Sequence, residues 1–502
     1  MSLACHRLAV SLACVALLAA CGGGGDSITI VSPDVVTPTT PGETPQAPAL
    51  AGTVAVGAPV EGATVTARCS SGGAQARSDA AGAYRLDLAA SVPPCLLEAR
   101  GGTVSGTLNA TPLHGVALAF GQAQINPMVE LALARAGGRL PAEAFAAGEV
   151  PDAAALAAAA SYVAEQAQSL GLARPQGNLF AGAFAIGDAN DRLLDALAAK
   201  LLDSGVGLEG LVTTAAAAGD LAAYVNSDRQ IAVEFVGVAG ATPVACGSTL
   251  IEGLGSGAVS ARLMDFRFYL SNVELLRADG TAVPLRLPPN GPWNYTAANG
   301  DTVTLIDLED GTADCEVEGT AATNAWLKGS VPAGRYVGLR MTLGVPPSLS
   351  HSDTAAAPPP LDLLAMGWGW QAGRKFAKIE LTEPSLRAWR ANTFFVHLGS
   401  TGCTGNPGLG QVSCTRSNRA TVQLDGFDAD LQKVAVDVQT LLAGTDITRN
   451  QGGALGCMSA ATDLDCLKVF EALAIDWRAD GSGSGDAVDG GRGQTVFRAV
   501  PR

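Results

Sequence analysis

Three histidines and one pair of tryptophans hold most of the chemistry this sequence offers. Of four histidines in 502 residues, His6 falls within the first twenty positions, leaving His114, His351 and His397. Imidazole nitrogen can ligate copper, zinc, iron or nickel, and His351 and His397 both fall in the C-terminal half, which on its own favours a ligand role only slightly. Taken singly, each also fits a hydrogen-bonded histidine of a loop ("GVPPSLSHSD") or a strand ("FFVHLG"). His114, in "TPLHG", has no partner in sequence and reads as structural. Between His351 and His397 runs "MGWGWQAGRKF", Met366 to Phe376. The chain has six tryptophans, yet Trp368 and Trp370 stand one glycine apart. As a strand, this stretch would turn Met366, Trp368 and Trp370 to one face and Gly367 and Gly369 to the other. The glycine face would admit close approach by backbone or a partner. Core packing and a chemical site both fit that pattern.

The elements that must position these residues begin with the compartment. "MSLACHRLAVSLACVALLAAC" has a short polar start and an apolar run from Leu8 to Ala20, too short to span a bilayer and shaped like a secretory signal. Leu18-Ala19-Ala20-Cys21 resembles the bacterial lipobox. That resemblance implies cleavage before Cys21, lipidation of its sulfur and, with Gly22 following, sorting to the outer membrane of a diderm host. Plain secretion is the alternative. Eight cysteines then remain, an even number that in an exported chain reads as four disulfides. Their spacings suggest Cys69–Cys95, Cys246–Cys315, Cys403–Cys414 and Cys457–Cys466, although other connectivities stay open. No CxxC occurs, which argues against a thiolate metal site. A net charge of −15 and a pI near 4.7 argue against nucleic acid and anionic lipid surfaces. No G-x-S-x-G is present, so serine hydrolase chemistry has no support. "DGSGSGDAVDGG", Asp480 to Gly491, has oxygen side chains at alternate positions but lacks a calcium loop's final acid, and reads as turns.

Along the chain we expect a signal peptide over 1–20, a Gly/Pro/Thr-rich tether over 21–49, short strands over 50–120, a helical spacer or docking segment over 121–228, and a β-rich domain over 229–502. The strands after residue 50 resemble the transthyretin-like, carboxypeptidase-regulatory-like β-sandwiches of exported proteins. Gly52, Gly57, Pro59, Val60, Gly62, Ala63, Val65, Asp79, Gly82 and Tyr84 carry that resemblance. Alanine and leucine at helical spacing between about 125 and 227 predict three to five helices, with Asn126-Pro127 and Pro141 as starts and Gly138 and Gly171 as stops. From Ile231, "IAVEFVGVA", "LMDFRFYLSNVELL", "TVTLIDL", "RYVGLRMTLGV", "FFVHLG" and "ATVQLDGF" alternate apolar and polar residues between turns. Six such runs predict an antiparallel β-sandwich-like domain with disulfide-pinned loops. The expected fold class is multidomain and mainly β.

From Ile231 onward the ordered segments "DFRFYLSNVEL", "GTAATNAWLKGSVPAGRYVGL", "LGVPPSLSH", "PLDLLAMGWGWQAGRKF", "VHLGSTGC", "VQLDGFD" and "LGCMSAATDLDC" resemble a bacterial family. It is the methanobactin-associated, MbnP-like copper-binding family, also described as four-cysteine proteins of a "metallo-mystery pair" encoded beside a diheme peroxidase-like enzyme. The resemblance implies that the first tryptophan of W-x-W, Trp368, is oxidised to kynurenine by that diheme cytochrome c peroxidase-like partner. It implies one copper ion, as Cu(I), held by His351, His397 and the modified Trp368, with Trp370 and Met366 as site neighbours. In that family a bulkier residue often precedes the first tryptophan and a tyrosine precedes the K-F pair, where this chain has Gly367 and Arg374. The implied role is not enzymatic: a lipid-anchored protein of extracytoplasmic copper homeostasis, at the outer membrane and facing the periplasm or the cell surface. The alternative is a surface module for protein or glycan recognition with no metal role.

Overall fold

The computed structural model describes residues 48–247, 250–369, 371–385 and 389–502. The expected leader, the tether as far as residue 47, Cys21 and Trp370 lie outside the described residues; the tether's last residue, Ala49, opens the first strand. No described helix is long and apolar enough to cross a membrane.

Strands β1 (Ala49–Thr53), β2 (Thr64–Ser71), β3 (Gly73–Arg77), β4 (Ala83–Asp87), β5 (Val92–Arg100) and β6 (Leu113–Ala117) open the described chain. One sheet runs β3-β2-β5-β6; in the other, β1 pairs with β4 and, in parallel, with Gly121–Gln122. Alternation turns Leu50, Val65, Tyr84, Leu86 and Leu97 into one core between them. Six helices follow, from α1 (Pro127–Gly137) to the short Leu221–Val225 turn. Asn126 caps α1 by accepting from the Met128 and Val129 amides, and Gly138 ends it in the left-handed region. The count exceeds three to five because two of the six, Pro141–Ala147 and Leu221–Val225, are single short pieces. His114 is fully buried where β6 meets α1: its Nδ1 lies 3.0 Å from Glu130 Oε1, and its amide donates to Glu130 Oε2 at 2.6 Å. It joins the sandwich to the helices, a structural role.

The larger β unit begins at β7 (Arg229–Ala239). Its central strand is β8 (Val259–Leu276), 18 residues long. That strand pairs along its length with β9 (Thr302–Asp307), with β11 (Gly338–Leu343) and with β12 (Ala377–Thr382). β10 (Trp326–Val331) pairs with β7, and β13 (Thr393–Leu398) pairs with β12. The hairpin β14 (Thr401–Asn406) and β15 (Gln411–Arg416) stands apart as a two-stranded sheet. β16 (Ala420–Asp425) pairs with β11, and β17 (Gln432–Asp437) runs parallel to β7. That parallel pair departs from the fully antiparallel expectation; the long chain between β7 and β17 makes it possible. A single apolar core lies beneath both large sheets, with Phe235, Phe266, Phe268, Phe376, Phe394 and Phe470 among its largest members. The four disulfides are those the spacings suggest: Cys69–Cys95, Cys246–Cys315, Cys403–Cys414 and Cys457–Cys466.

Candidate functional site

The strand expected from Met366 onward does not form over the described residues Met366–Gly369. Leu364–Met366 make a single 3-10 turn, and Gly367 pairs with Arg374 as an isolated bridge. The Trp368 amide donates to Gly373 O at 3.0 Å, Gly373 donates to Gly369 O at 2.8 Å, and Lys375 donates to Met366 O at 2.8 Å. The chain thus doubles back in a tight loop. Its glycines explain why: they weaken a strand, and Gly373 adopts φ +85°, a region open chiefly to glycine. Met366 therefore does not share a strand face with Trp368; it is fully buried in the core.

Trp368 is half-buried, and two glycines define its surroundings. A Cβ on Gly399 would stand 2.3 Å from Trp368 Cζ3 and 2.7 Å from Cη2, so the indole occupies the space a side chain there would need. Gly399 lies two residues beyond His397, roughly 7 Å of extended chain. On the other side, a Cβ on Gly373 would stand 2.9 Å from His351 Cε1 and 3.0 Å from its Nδ1. Gly373, which accepts the Trp368 amide, is thus also the floor beneath the His351 ring. The loop and the strand end bring Trp368, His351 and the His397 segment together around two missing side chains. Trp368 edges an open groove of about 610 Å³, lined also by Gln371, Ser400, Thr401, Cys403 and Met458.

His351 closes the short turn Pro347–Ser350 and is buried, with Nε2 3.4 Å from Cys414 Sγ. Its loop is held by Arg374. Arg374 is 1% exposed, and its guanidinium donates to the carbonyls of Leu361 (2.8 and 3.1 Å), Leu349 (2.8 Å), Ser350 (3.2 Å) and Ser352 (3.4 Å). Burial lowers its pKa below the ordinary guanidinium value. Arg374 therefore ties the His351 loop to the Trp368 loop with its planar, multiply donating fork.

His397 lies on β13, on a face whose side chains are charged yet covered. Register sets Lys378 of β12 between Arg267 of β8 and His397, and Glu380 opposite Asp265. His397 Nε2 lies 2.6 Å from Glu380 Oε1. Lys378, wholly buried, reaches Asp265 at 2.5 Å, Glu318 at 2.8 Å and Glu380 at 3.1 Å. Burial pushes the His397 pKa down, against the pull of Glu380. Burial also disfavours the Glu380 carboxylate, but His397 and Lys378 outweigh it and hold its pKa below the usual range. The pair is thus a neutral imidazole donating Nε2–H to an ionised carboxylate. That tautomer leaves the lone pair on Nδ1, the arrangement of a metal-ligating histidine oriented by a carboxylate.

Among the described residues, three groups of His, Cys, Asp or Glu atoms are close enough to hold a metal: His351–Cys403–Cys414, Cys246–Glu309–Cys315 and Asp265–Glu318–Glu380. The cysteines of the first two are paired in disulfides, so no thiolate is present. The third surrounds the Lys378 ammonium, which already supplies the positive charge. None lies in Asp480–Gly491. Among the described residues, then, neither the carboxylates nor the cysteines form a preformed metal centre. The donor set does fit a soft or borderline ion that takes imidazole plus a donor from the groove. Sequence reasoning missed Glu380, because "AKIELT" reads as a half-solvated strand and nothing in it signals the cover. It missed Met458 as well, whose signal was a thioether directly following Cys457.

The MbnP family model matches residues 228–459. MbnP from Methylosinus trichosporium is 34% identical over 99% of its own length and 55% of this chain, with a TM-score of 0.47. A search of curated proteins gives no match. The sandwich and helices that precede residue 228 lie outside the family match. With one-third identity across the whole of that relative, and the family pattern running through the loop of Trp368 and the segment of His397, the chain belongs to the MbnP family.

Proposed function

We propose that the C-terminal β unit binds one copper ion, as Cu(I), through His351, His397 and a nitrogen donor made from Trp368. One observation carries this reading: the indole rests on Gly399, two residues beyond His397, while Gly373, which accepts the Trp368 amide, underlies the His351 ring. An indole is a poor ligand. Oxidative cleavage of its C2–C3 bond, with hydrolysis releasing C2 as formate, leaves an aryl amine and a ketone in the same cradle. The net change is one oxygen gained and one carbon lost. The oxidising equivalents would come from a diheme cytochrome c peroxidase-like enzyme, for which the open groove beside Trp368 gives access. Imidazole and amine nitrogen suit copper, and the buried, carboxylate-oriented His397 matches a ligand poised at neutral pH.

In this reading the protein is not a catalyst. It is the substrate of one and then a copper carrier, exported, anchored to the outer membrane through lipidated Cys21, and serving copper homeostasis outside the cytoplasm. The sandwich and helical segment would hold the site away from the membrane. The test is intact-mass analysis and copper stoichiometry of the full chain produced with and without a diheme partner. The expected result is the mass change of kynurenine at Trp368 and one copper per chain only with the partner. An unmodified, copper-free protein under those conditions would refute the reading and favour a recognition module. His351→Ala and His397→Ala should each weaken copper binding; if neither does, the ligand assignment fails.

A further inference from the structure

Trp368 shares its groove with one methionine, Met458. The backbone around Met458 is fixed to the strand that carries His397 and Gly399. Before it, Cys457 donates to Phe395 O at 2.8 Å and accepts from the His397 amide at 2.9 Å. After it, Ser459 Oγ donates to His397 O at 2.9 Å and accepts from the Gly399 amide at 3.0 Å. Met458's own amide donates to Asp463 Oδ2 at 3.1 Å, and Cys457 is bonded to Cys466. Met458 is therefore the residue between two that grip either side of His397, beside the glycine on which the indole rests. Its side chain is half-buried at the groove wall. Met366, the methionine adjacent to Trp368 in sequence, is enclosed in the core and does not line the groove.

A thioether is a soft, uncharged donor that prefers Cu(I). A site made of imidazoles and an aryl amine alone holds Cu(I) and Cu(II) with less discrimination. We propose that the Met458 sulfur is a further ligand of the copper bound in the Trp368 groove and biases the site toward Cu(I). The proposal rests on the copper reading above, with Met458 supplying the soft donor that the disulfide-bonded cysteines do not.

The experiment is copper K-edge X-ray absorption on full-length protein with kynurenine verified at Trp368, loaded with Cu(I). Selenomethionine labelling separates methionine from the disulfide sulfurs. A copper–selenium vector is expected in the labelled protein, retained in Met366→Leu and lost in Met458→Leu. Leucine conserves volume, so the fold should survive, and circular dichroism checks it. Met458→Leu should weaken Cu(I) binding about tenfold, in line with other single-residue changes at metal sites. If Cu(II) binding is unaffected, the copper potential falls by about 59 mV. Copper bound with nitrogen scatterers only overturns the Met458 role and leaves the copper reading standing. Loss of the vector in Met366→Leu, or its persistence in Met458→Leu, overturns it too. No copper at all overturns both.

Discussion

Gly399→Ala puts the geometry of the site to a quantitative test. Gly399 has no positive φ to forbid a side chain, so the cost of alanine is steric. The added methyl would meet Trp368 Cζ3 at 2.3 Å and Cη2 at 2.7 Å, and the Arg374 carbonyl at 3.0 Å. An aromatic ring cannot bend away as a lysine tip can, so either the indole leaves its seat or the strand end moves. Overpacking of this kind costs about 1–3 kcal/mol. In a domain of this size each kcal/mol lowers the melting temperature by about 2–4 °C, so thermal unfolding should shift by roughly 2–12 °C with disulfides intact. Trp368→Phe shortens the ring that meets Gly399, so the same alanine should cost much less in that background. The coupling energy of the cycle should reach 1 kcal/mol or more, where independent sites add to within about 0.5 kcal/mol. Calorimetry on the four proteins measures it. Equal costs in both backgrounds would refute the seating of the indole on Gly399, and with it the cradle that supports the copper reading.

Arg374→Lys loses the fork that spans four carbonyls while keeping the charge; it should destabilise the protein by roughly 2–3 kcal/mol. Limited proteolysis should then cut faster within 349–361, and unchanged protection would rule out the clamp. Glu380→Gln removes the ionised partner of His397 and should lower copper affinity about 10–100-fold in protein with modified Trp368, measured by competition with a Cu(I) chelator. An unchanged affinity would mean that Glu380 does not orient the ligand. Asp307 gives a pH prediction. Burial, then the charge of Glu309, pushes its carboxyl from 3.8 up to about 8. A raised pKa gives stability that is complete below about pH 4 and lost as pH rises through 8. Asp307→Asn stays neutral, so its stability relative to the unsubstituted protein should rise with pH across that window, by up to about 1.4 kcal/mol per unit. Parallel stability curves from pH 5 to 8 would refute the shift.

Much of the fold was legible because its signals are local. Asn126-Pro127 and Gly138 bound a helix through capping chemistry that needs no tertiary partner. Cys403 and Cys414 face each other because the hairpin register places them so. The site was legible in composition but not in shape. Periodicity placed Met366 and Trp368 on one strand face, yet the Gly369–Gly373 turn folded that stretch back, and the core took Met366. Arg374 stood out only as a departure; its partners are carbonyls up to 25 residues away, which no side-chain pattern encodes. Lys378 and Glu380 alternate like solvent-facing residues because their cover comes from Asp265, Arg267 and Glu318 on distant segments. Non-local burial of charge is what a linear pattern cannot express.

On the copper reading, the same non-local arrangement would set Trp368 apart from a residue kept for packing. A tryptophan kept for packing gains by enclosure, since each buried ring contributes through the area it removes from water. Trp368 is only half-buried and edges an open groove, while Met366 beside it is enclosed completely. Its placement nonetheless draws on two side-chain-free glycines and a buried arginine with no carboxylate in its hydrogen-bond set. Glycine weakens a strand end, and an enclosed guanidinium carries a desolvation cost that hydrogen bonds only partly offset. If a reaction must find the ring there and a metal must later find what the reaction leaves, a fixed seat on Gly399 at the edge of an open groove serves that better than enclosure would.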